Sequence, residues 1–222
     1  MLTPVDNPTA YGLVETDEAG NIRRFLEKPS ADEITTNNIN AGIYVLEPDT
    51  FDRIPSNVSW SIERSYFPSL IERGETFVGY IYNGYWIDIG TPEKYTQVHR
   101  DIMDGRYAAE PFRDIASPRT WIAPDARIEN GAMIESPCFI DEGALIKSGA
   151  KIGPYSVIGR QTQIEEDAVI SGAIIWPNCR ISREACIRDA ILGRHCHIGR
   201  NVSVNSGAVL GDKTTLTDYT KA

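Results

Sequence analysis

The 222 residues carry 31 Asp and Glu against 22 Lys and Arg, a net charge of −9, with 41% hydrophobic and 24% charged residues. That balance argues against a nucleic-acid partner, which calls for a basic face, and no apolar run is long enough to span a membrane. The charge is uneven: residues 1–105 hold 17 acids and 8 bases, residues 106–222 hold 14 of each. An acidic segment of this kind needs a local base or a metal ion if it is to handle a phosphorylated substrate. Met1-Leu2-Thr3-Pro4 lacks the basic-then-apolar order of a signal peptide, so the expected compartment is the cytoplasm. The four cysteines show no C-x-x-C spacing, which points away from a metal or redox motif.

Residues 9–47 read as α/β material. Tyr11 to Glu15 is a predicted strand, Asp17-Glu18-Ala19-Gly20 a turn and Asn21 to Glu27 a second strand, together a hairpin that Lys28-Pro29-Ser30 ends. Asn40 to Leu46 is the next predicted strand, stopped by Glu47-Pro48 before a short helix through Phe51 and Ile54. Trp60 to Arg73 has the pattern of an amphipathic helix that Pro68 splits and Gly74 closes. Thr76 to Tyr82 alternates as a strand. Thr91-Pro92-Glu93 is a helix start, with Thr at the cap and Pro at the first helical position, and that helix is expected to run to about Asp104 and stop at Gly105. Residues 106–119, with Pro111 and Pro118, read as a linker.

From Ile122 the chain becomes periodic. Isoleucines recur every six residues through Ile170; the series steps by five to Ile175, resumes through Ile187, steps by five again to Leu192 and continues to Leu216. Two residues before each aliphatic position stands a small one, among them Ala144, Ala150, Ala168 and Cys138, Cys179 and Cys196. A large and a small residue two apart face the same way along a strand, so stacked coils would share one interlocked interior. The two short steps lie seventeen residues apart, as expected if a three-faced coil lost one residue twice at the same corner. Glycines directly after aliphatic positions (Gly153, Gly159, Gly193, Gly199, Gly211) are expected at corners with unusual backbone angles. The pattern resembles the hexapeptide-repeat, left-handed parallel β-helix, over residues 120–222.

Three short motifs precede it in order: Tyr11-Gly12 leading to Glu27-Lys28-Pro29, then Asn40-Ala41-Gly42-Ile43-Tyr44, then Trp86-Ile87-Asp88-Ile89-Gly90-Thr91. Their order resembles the second half of the catalytic domain of sugar-1-phosphate nucleotidyltransferases, several branches of which carry a hexapeptide β-helix behind it. The segment around Asn40 is most similar to the mannose-1-phosphate guanylyltransferase branch. The resemblance implies an α/β partial nucleotidyltransferase domain over 1–105, a linker over 106–119 and the β-helix over 120–222. It implies that Gly12 lies against the sugar, Glu27 accepts hydrogen bonds from sugar hydroxyls, Lys28 holds the sugar phosphate, and Asn40 hydrogen-bonds the sugar. Asp88 would be one ligand of a magnesium ion, a hard cation that prefers carboxylate oxygen. The implied partners are a hexose 1-phosphate and a nucleoside triphosphate.

The sequence departs from that family at its front. The glycine-rich G-G-x-G-T-R-L loop, which wraps the triphosphate, and the first magnesium aspartate do not occur. The expectation is a fragment or a truncated gene product without a complete catalytic site, whose 1–105 edge needs a covering partner. Two other classes remain. One is a non-catalytic assembly or regulatory subunit, with the β-helix driving homo-oligomerisation. The other is a β-helix acyltransferase, for which His195 and His197 are expected to point outward as surface residues and His99 to lie on the helix before the linker. Trp176 is expected to cover a corner or a subunit contact.

Overall fold

A computed structural model describes residues 1–113 and 119–222; Pro118, the second proline of the expected linker, lies outside them. Contacts divide the chain into two compact units, Met1–Trp86 and Ile87–Ala222.

The first unit is built on a four-stranded antiparallel sheet of β1 (Leu2–Pro4), β2 (Gly12–Thr16), β3 (Ile22–Glu27) and β4 (Asn38–Asn40), in the order β1-β4-β2-β3. The predicted hairpin is β2–β3. Its turn is fixed by Asp17, whose carboxylate accepts the side-chain amide and backbone N–H of Asn21 and pairs with Arg23. Those interactions, led by Asn21, hold the Asp17 carboxyl down at about 2. One face of the sheet packs Leu2, Val14 and Ile22 against Phe77 and Ile71. A second cluster centres on Phe67 in α1 (Phe67–Glu72), whose ring meets Phe25, Tyr44 and Phe77 at 5.3, 4.9 and 5.0 Å.

Three expectations for this unit need correction. The predicted strand Asn40 to Leu46 reaches only Asn40; beyond Ala41, whose N–H donates to the Met1 carbonyl, the Ile43 carbonyl accepts the Met1 amino group at 2.7 Å, no strand among the described residues pairs with 41–46, and Val45 is 98% exposed. Thr76 to Tyr82 runs alongside the sheet through the isolated bridges Asn21–Val78 and Leu2–Ile81 rather than as a strand. The helix expected from Trp60 begins as a π-turn, Ile62–Tyr66, and continues as α1 with Pro68 in its first turn, where proline costs no hydrogen bond.

The second unit opens with α2 (Pro92–Met103), whose Thr91 hydroxyl accepts the Lys94 N–H as the sequence predicts. Although its sequence reads as the end of the first segment, α2 belongs by its contacts to the β-helix. The rest is a three-faced parallel β-helix, consistent with the left-handed form. One face stacks Thr120–Ile122, Cys138–Ile140, Ser156–Ile158, Ile174–Ile175, Ile191–Leu192 and Val209–Leu210. A second stacks six strands from Arg127–Ile128 to Thr215–Leu216, and the third five from Met133–Ile134 to Ser203–Val204. Aliphatic sits on aliphatic in register: Ile146 on Ile164 on Ile181 on Ile198. The interior is made of the repeat's two alternating positions, with Ile140, Ile146, Ile152, Ile158, Ile164 and Ile170 fully buried. Ile122 and Ile128 in the first coil are 38% and 36% exposed.

The glycines after aliphatic positions have a different task from the expected one. None of Gly153, Gly159, Gly193, Gly199 and Gly211 has a positive φ. At Gly159, Gly193 and Gly199 the next coil instead comes so close that a Cβ would lie under 3 Å from its backbone. The left-handed residue falls three positions after the aliphatic one, at Gly131, Gly143, Gly149, Tyr155, Gln161, Asp167, Asn178, Glu184, His195 and Asn201 among others. At the two shortened steps it falls two after, at Gly172 and Asp189, both on the same corner.

Cys138, Cys179 and Cys196 face inward and are buried, while Cys186 is half-exposed. Burial pushes the Cys138 thiol up to about 11 and that of Cys179 to about 12. A native chain is therefore expected to react with Ellman's reagent at pH 8 through Cys186 alone, and through all four thiols in guanidinium. Rapid native reaction of three or more thiols would contradict this interior.

Candidate functional site

The first unit gathers three of the sequence-predicted residues into one row across its sheet. Gly12 opens β2 and stands opposite Glu27, the last residue of β3. On its other side the register Leu13–Ile39 puts Asn40, the last residue of β4, beside Gly12. Neighbours in such a row face the same side of a sheet, so Gly12 faces between Glu27 and Asn40. Its side-chain place is taken up by neighbours: a Cβ on Gly12 would meet Glu27 Oε2 at 3.0 Å and the Phe25 ring at 3.1 Å. Lys28 follows Glu27 with a φ of +52°, its N–H donating to the Tyr11 carbonyl at 3.0 Å, and its side chain is exposed. Few lysines adopt this left-handed conformation, and it turns the chain away from the sheet immediately after Glu27.

Asn40 is tied more tightly than its expected role suggests. Its Nδ2 donates to Tyr44 Oη at 2.6 Å and to Glu63 Oε1 at 2.7 Å, and its Oδ1 accepts the Gly42 N–H at 3.1 Å. Both amide hydrogens are thus taken within the protein. Burial raises the pKa of the Tyr44 phenol; the Asn40 hydrogen bond pulls it back, and the Glu63 and Glu27 carboxylates push it up again. Glu63, carried by the π-turn after the Ser61 cap, is the polar member that lies outside all three motifs; Tyr44 ends the second motif but had no role assigned to it. Nothing in the local sequence marks Glu63, because its partner Asn40 lies 23 residues away.

Trp86 joins the three motifs. Its ring meets Tyr11 edge-on at 5.7 Å between centroids, and its Nε1 donates to the Ala41 carbonyl at 3.3 Å. Asp88 falls in the second unit, exposed and in irregular backbone. Among the described residues no group of three His, Cys, Asp or Glu is placed to hold a metal ion. Asp88 alone does not make the magnesium site that the resemblance implies, and no chemical step is assigned to it here.

The second unit's own polar features are structural. Trp176 packs on α2, its Nε1 donating to Tyr95 Oη at 3.1 Å while the Arg194 guanidinium lies 4.9 Å from its ring centre. Arg100 pairs with Asp189 and lies over the Tyr155 ring, and Tyr155 donates to Asp104 at 2.9 Å. His99 lies on α2, as expected; it is half-buried against Tyr95, and burial lowers its pKa. His195 and His197 are exposed, as expected. Among the described residues no helix is long and apolar enough to cross a membrane.

Comparison with known proteins matches the same two parts of the chain. Residues 1–105 match the nucleotidyl transferase family model and residues 134–221 the model of the GMPPB C-terminal domain. The chain is thus similar to a nucleotidyl transferase domain followed by the C-terminal domain of GMPPB. Among its relatives, a mannose-1-phosphate guanylyltransferase of Mycobacterium tuberculosis is 33% identical over 82% of this chain and 45% of its own length. A UTP–glucose-1-phosphate uridylyltransferase of Synechocystis is 29% identical over 80% of this chain and 46% of its own. A probable mannose-1-phosphate guanylyltransferase 2 of Arabidopsis thaliana is 39% identical over 53% and 32%. The chain thus spans about half the length of the first two. A perosamine N-acetyltransferase structure from Caulobacter crescentus aligns over 72% of this chain and 69% of its own, at 14% identity and a TM-score of 0.48.

Proposed function

We propose that the row Glu27–Gly12–Asn40, with Lys28 beside it, is the sugar-1-phosphate side of a nucleotidyl-transfer site. The parent reaction joins a hexose 1-phosphate to a nucleoside triphosphate and releases pyrophosphate. The single observation behind this reading is the row itself, a glycine between a carboxylate and an amide with an exposed lysine next in the chain. A sugar at this end of the sheet can offer hydroxyls to Glu27 and its phosphate to Lys28, whose compact ammonium suits a phosphate oxygen. Mannose 1-phosphate is the first candidate, because guanylyltransferases recur among the relatives. The complete reaction is expected to need magnesium and a glycine-rich loop to hold the triphosphate. We place the protein in the cytoplasm, as a homo-oligomer assembled through the β-helix.

Calorimetry of this chain with mannose 1-phosphate and glucose 1-phosphate, with and without magnesium and GTP or dTTP, tests the reading. Sugar-phosphate binding is expected without turnover. Lys28→Ala is expected to weaken it by tenfold or more, since a hydrogen bond to a charged group contributes about 1.5–3 kcal/mol. A folded chain that binds no sugar phosphate would sink the reading and favour the assembly subunit, in which the β-helix is the working part.

A further inference from the structure

We infer that Glu63 is a specificity-determining residue of this site, reading a hydroxyl of the sugar ring with its free carboxylate oxygen while Asn40 serves as the positioning residue that holds it. The inference rests on the sugar-phosphate reading above and adds to it a residue that none of the three motifs contains.

A bridge of polar groups carries the argument. Asn40 Nδ2 donates to both Tyr44 Oη at 2.6 Å and Glu63 Oε1 at 2.7 Å. Asn40 has no amide hydrogen left for a ligand, because both are spent on Tyr44 and Glu63. Its carbonyl oxygen is also engaged, by the Gly42 N–H. A residue so occupied orients its neighbours rather than reading a substrate. Glu63 gives up one oxygen to Asn40; its Oε2 makes no hydrogen bond among the described residues, and the side chain is half-buried rather than immersed in water. A carboxylate held by a donor on one oxygen and open on the other is pre-organised to accept a hydroxyl.

Charge points the same way. Glu63 and Glu27 both push the Tyr44 phenol up, and Glu27 stands opposite Gly12 across the sheet. Two acceptors that form no ion pair among the described residues suit a ligand part rich in hydroxyl donors, and a pyranose ring supplies these at adjacent carbons. Lys28, at the end of β3, supplies the opposite charge for the phosphate. The two ends of a hexose 1-phosphate thus have separate receptors.

A site built to hydrogen-bond a hydroxyl discriminates strongly against the analogue that lacks it. The test is calorimetry of the full chain with mannose 1-phosphate and its 2-, 3-, 4- and 6-deoxy analogues, on the parent chain and on Glu63→Gln, Glu63→Asp and Lys28→Ala, with thermal melting to confirm folding. For the parent chain at least one deoxy analogue is expected to bind ten or more times more weakly than mannose 1-phosphate. In Glu63→Gln that particular ratio is expected to fall below threefold while the others persist, with Glu63→Asp in between. Equal weakening of all five ligands, or no change in any ratio, overturns the role of Glu63 and leaves the sugar-phosphate reading standing if Lys28→Ala still abolishes binding. A folded parent chain that binds none of the ligands removes both. Loss of folding in Glu63→Gln with retained folding and unchanged ratios in Glu63→Asp assigns Glu63 to the structure alone, and also overturns the inference.

Discussion

Ile164→Ala is expected to lower the stability of the β-helix by about 2–5 kcal/mol, the range for deleting a large aliphatic side chain from a tight core. Ile164 is fully buried in the middle of a ladder, stacked on Ile146 below and Ile181 above. Coils joined by backbone hydrogen bonds, Glu165 N–H to the Ile181 carbonyl at 2.9 Å and Lys147 N–H to the Ile164 carbonyl at 2.9 Å, cannot collapse on the hole, so the cavity term is felt in full. Ile128, the same position in the first coil, is 36% exposed, and Ile128→Ala should cost less than half as much. Guanidinium unfolding followed by circular dichroism gives both values. Equal losses would mean that the two positions are packed alike, against the structure.

Gly159→Ala is expected to destabilise by about 1–3 kcal/mol, although it adds a single methyl group. That methyl would stand 2.7 Å from Pro177 N, 2.8 Å from the Ile175 carbonyl oxygen and 2.8 Å from Trp176 C, all backbone atoms of the next coil. The Gly159 N–H also donates to that same Ile175 carbonyl, at 2.8 Å, so pushing the coils apart breaks the ladder where it is closest. Gly211→Ala is the matched control: it too follows an aliphatic position, has no positive φ, and meets nothing within 4 Å. It should be neutral or slightly stabilising, because alanine restricts the unfolded chain. Equal melting shifts in the two variants would show that conformational freedom, and not close approach, explains these glycines.

The interior of the β-helix was legible because its contacts obey a fixed offset: Ile164 meets Ile146 and Ile181 wherever the coil closes, and the repeat writes that offset into the chain. The corners were not legible. Tyr155, Gln161, Glu184 and His195 all take left-handed angles that their side chains do not favour. What holds them is the stacked backbone, as in Gln161 N–H to the Glu142 carbonyl at 2.8 Å and Glu184 N–H to the Glu166 carbonyl at 3.1 Å, so residue type there carries little signal. In the first unit the motifs singled out Gly12, Glu27 and Lys28, which the β2–β3 pairing brings to one end of the sheet, while alternation alone overestimated the strands at 41–46 and 76–82. A strand needs a neighbour, and alternation does not say whether one is present. Asn40 was visible and its commitment was not, because Glu63 is 23 residues distant. The start and stop of α2 were plain from Thr91, Pro92 and Gly105, but not the surface against which Tyr95, Arg100 and Asp104 would lie.

That placement of α2 changes how the rod comes apart. In a simple solenoid each repeat touches only the ones directly above and below, so unfolding can proceed from an end in small independent steps. Here one helix bonds to Tyr155 in the second coil through Asp104 and to Asp189 and Trp176 in the fourth through Arg100 and Tyr95, passing over the third. A coil at either contact cannot leave without also releasing α2 from the other. The middle of the rod therefore melts as one cooperative block, with the graded fraying of a repeat protein confined to coils outside the helix's reach.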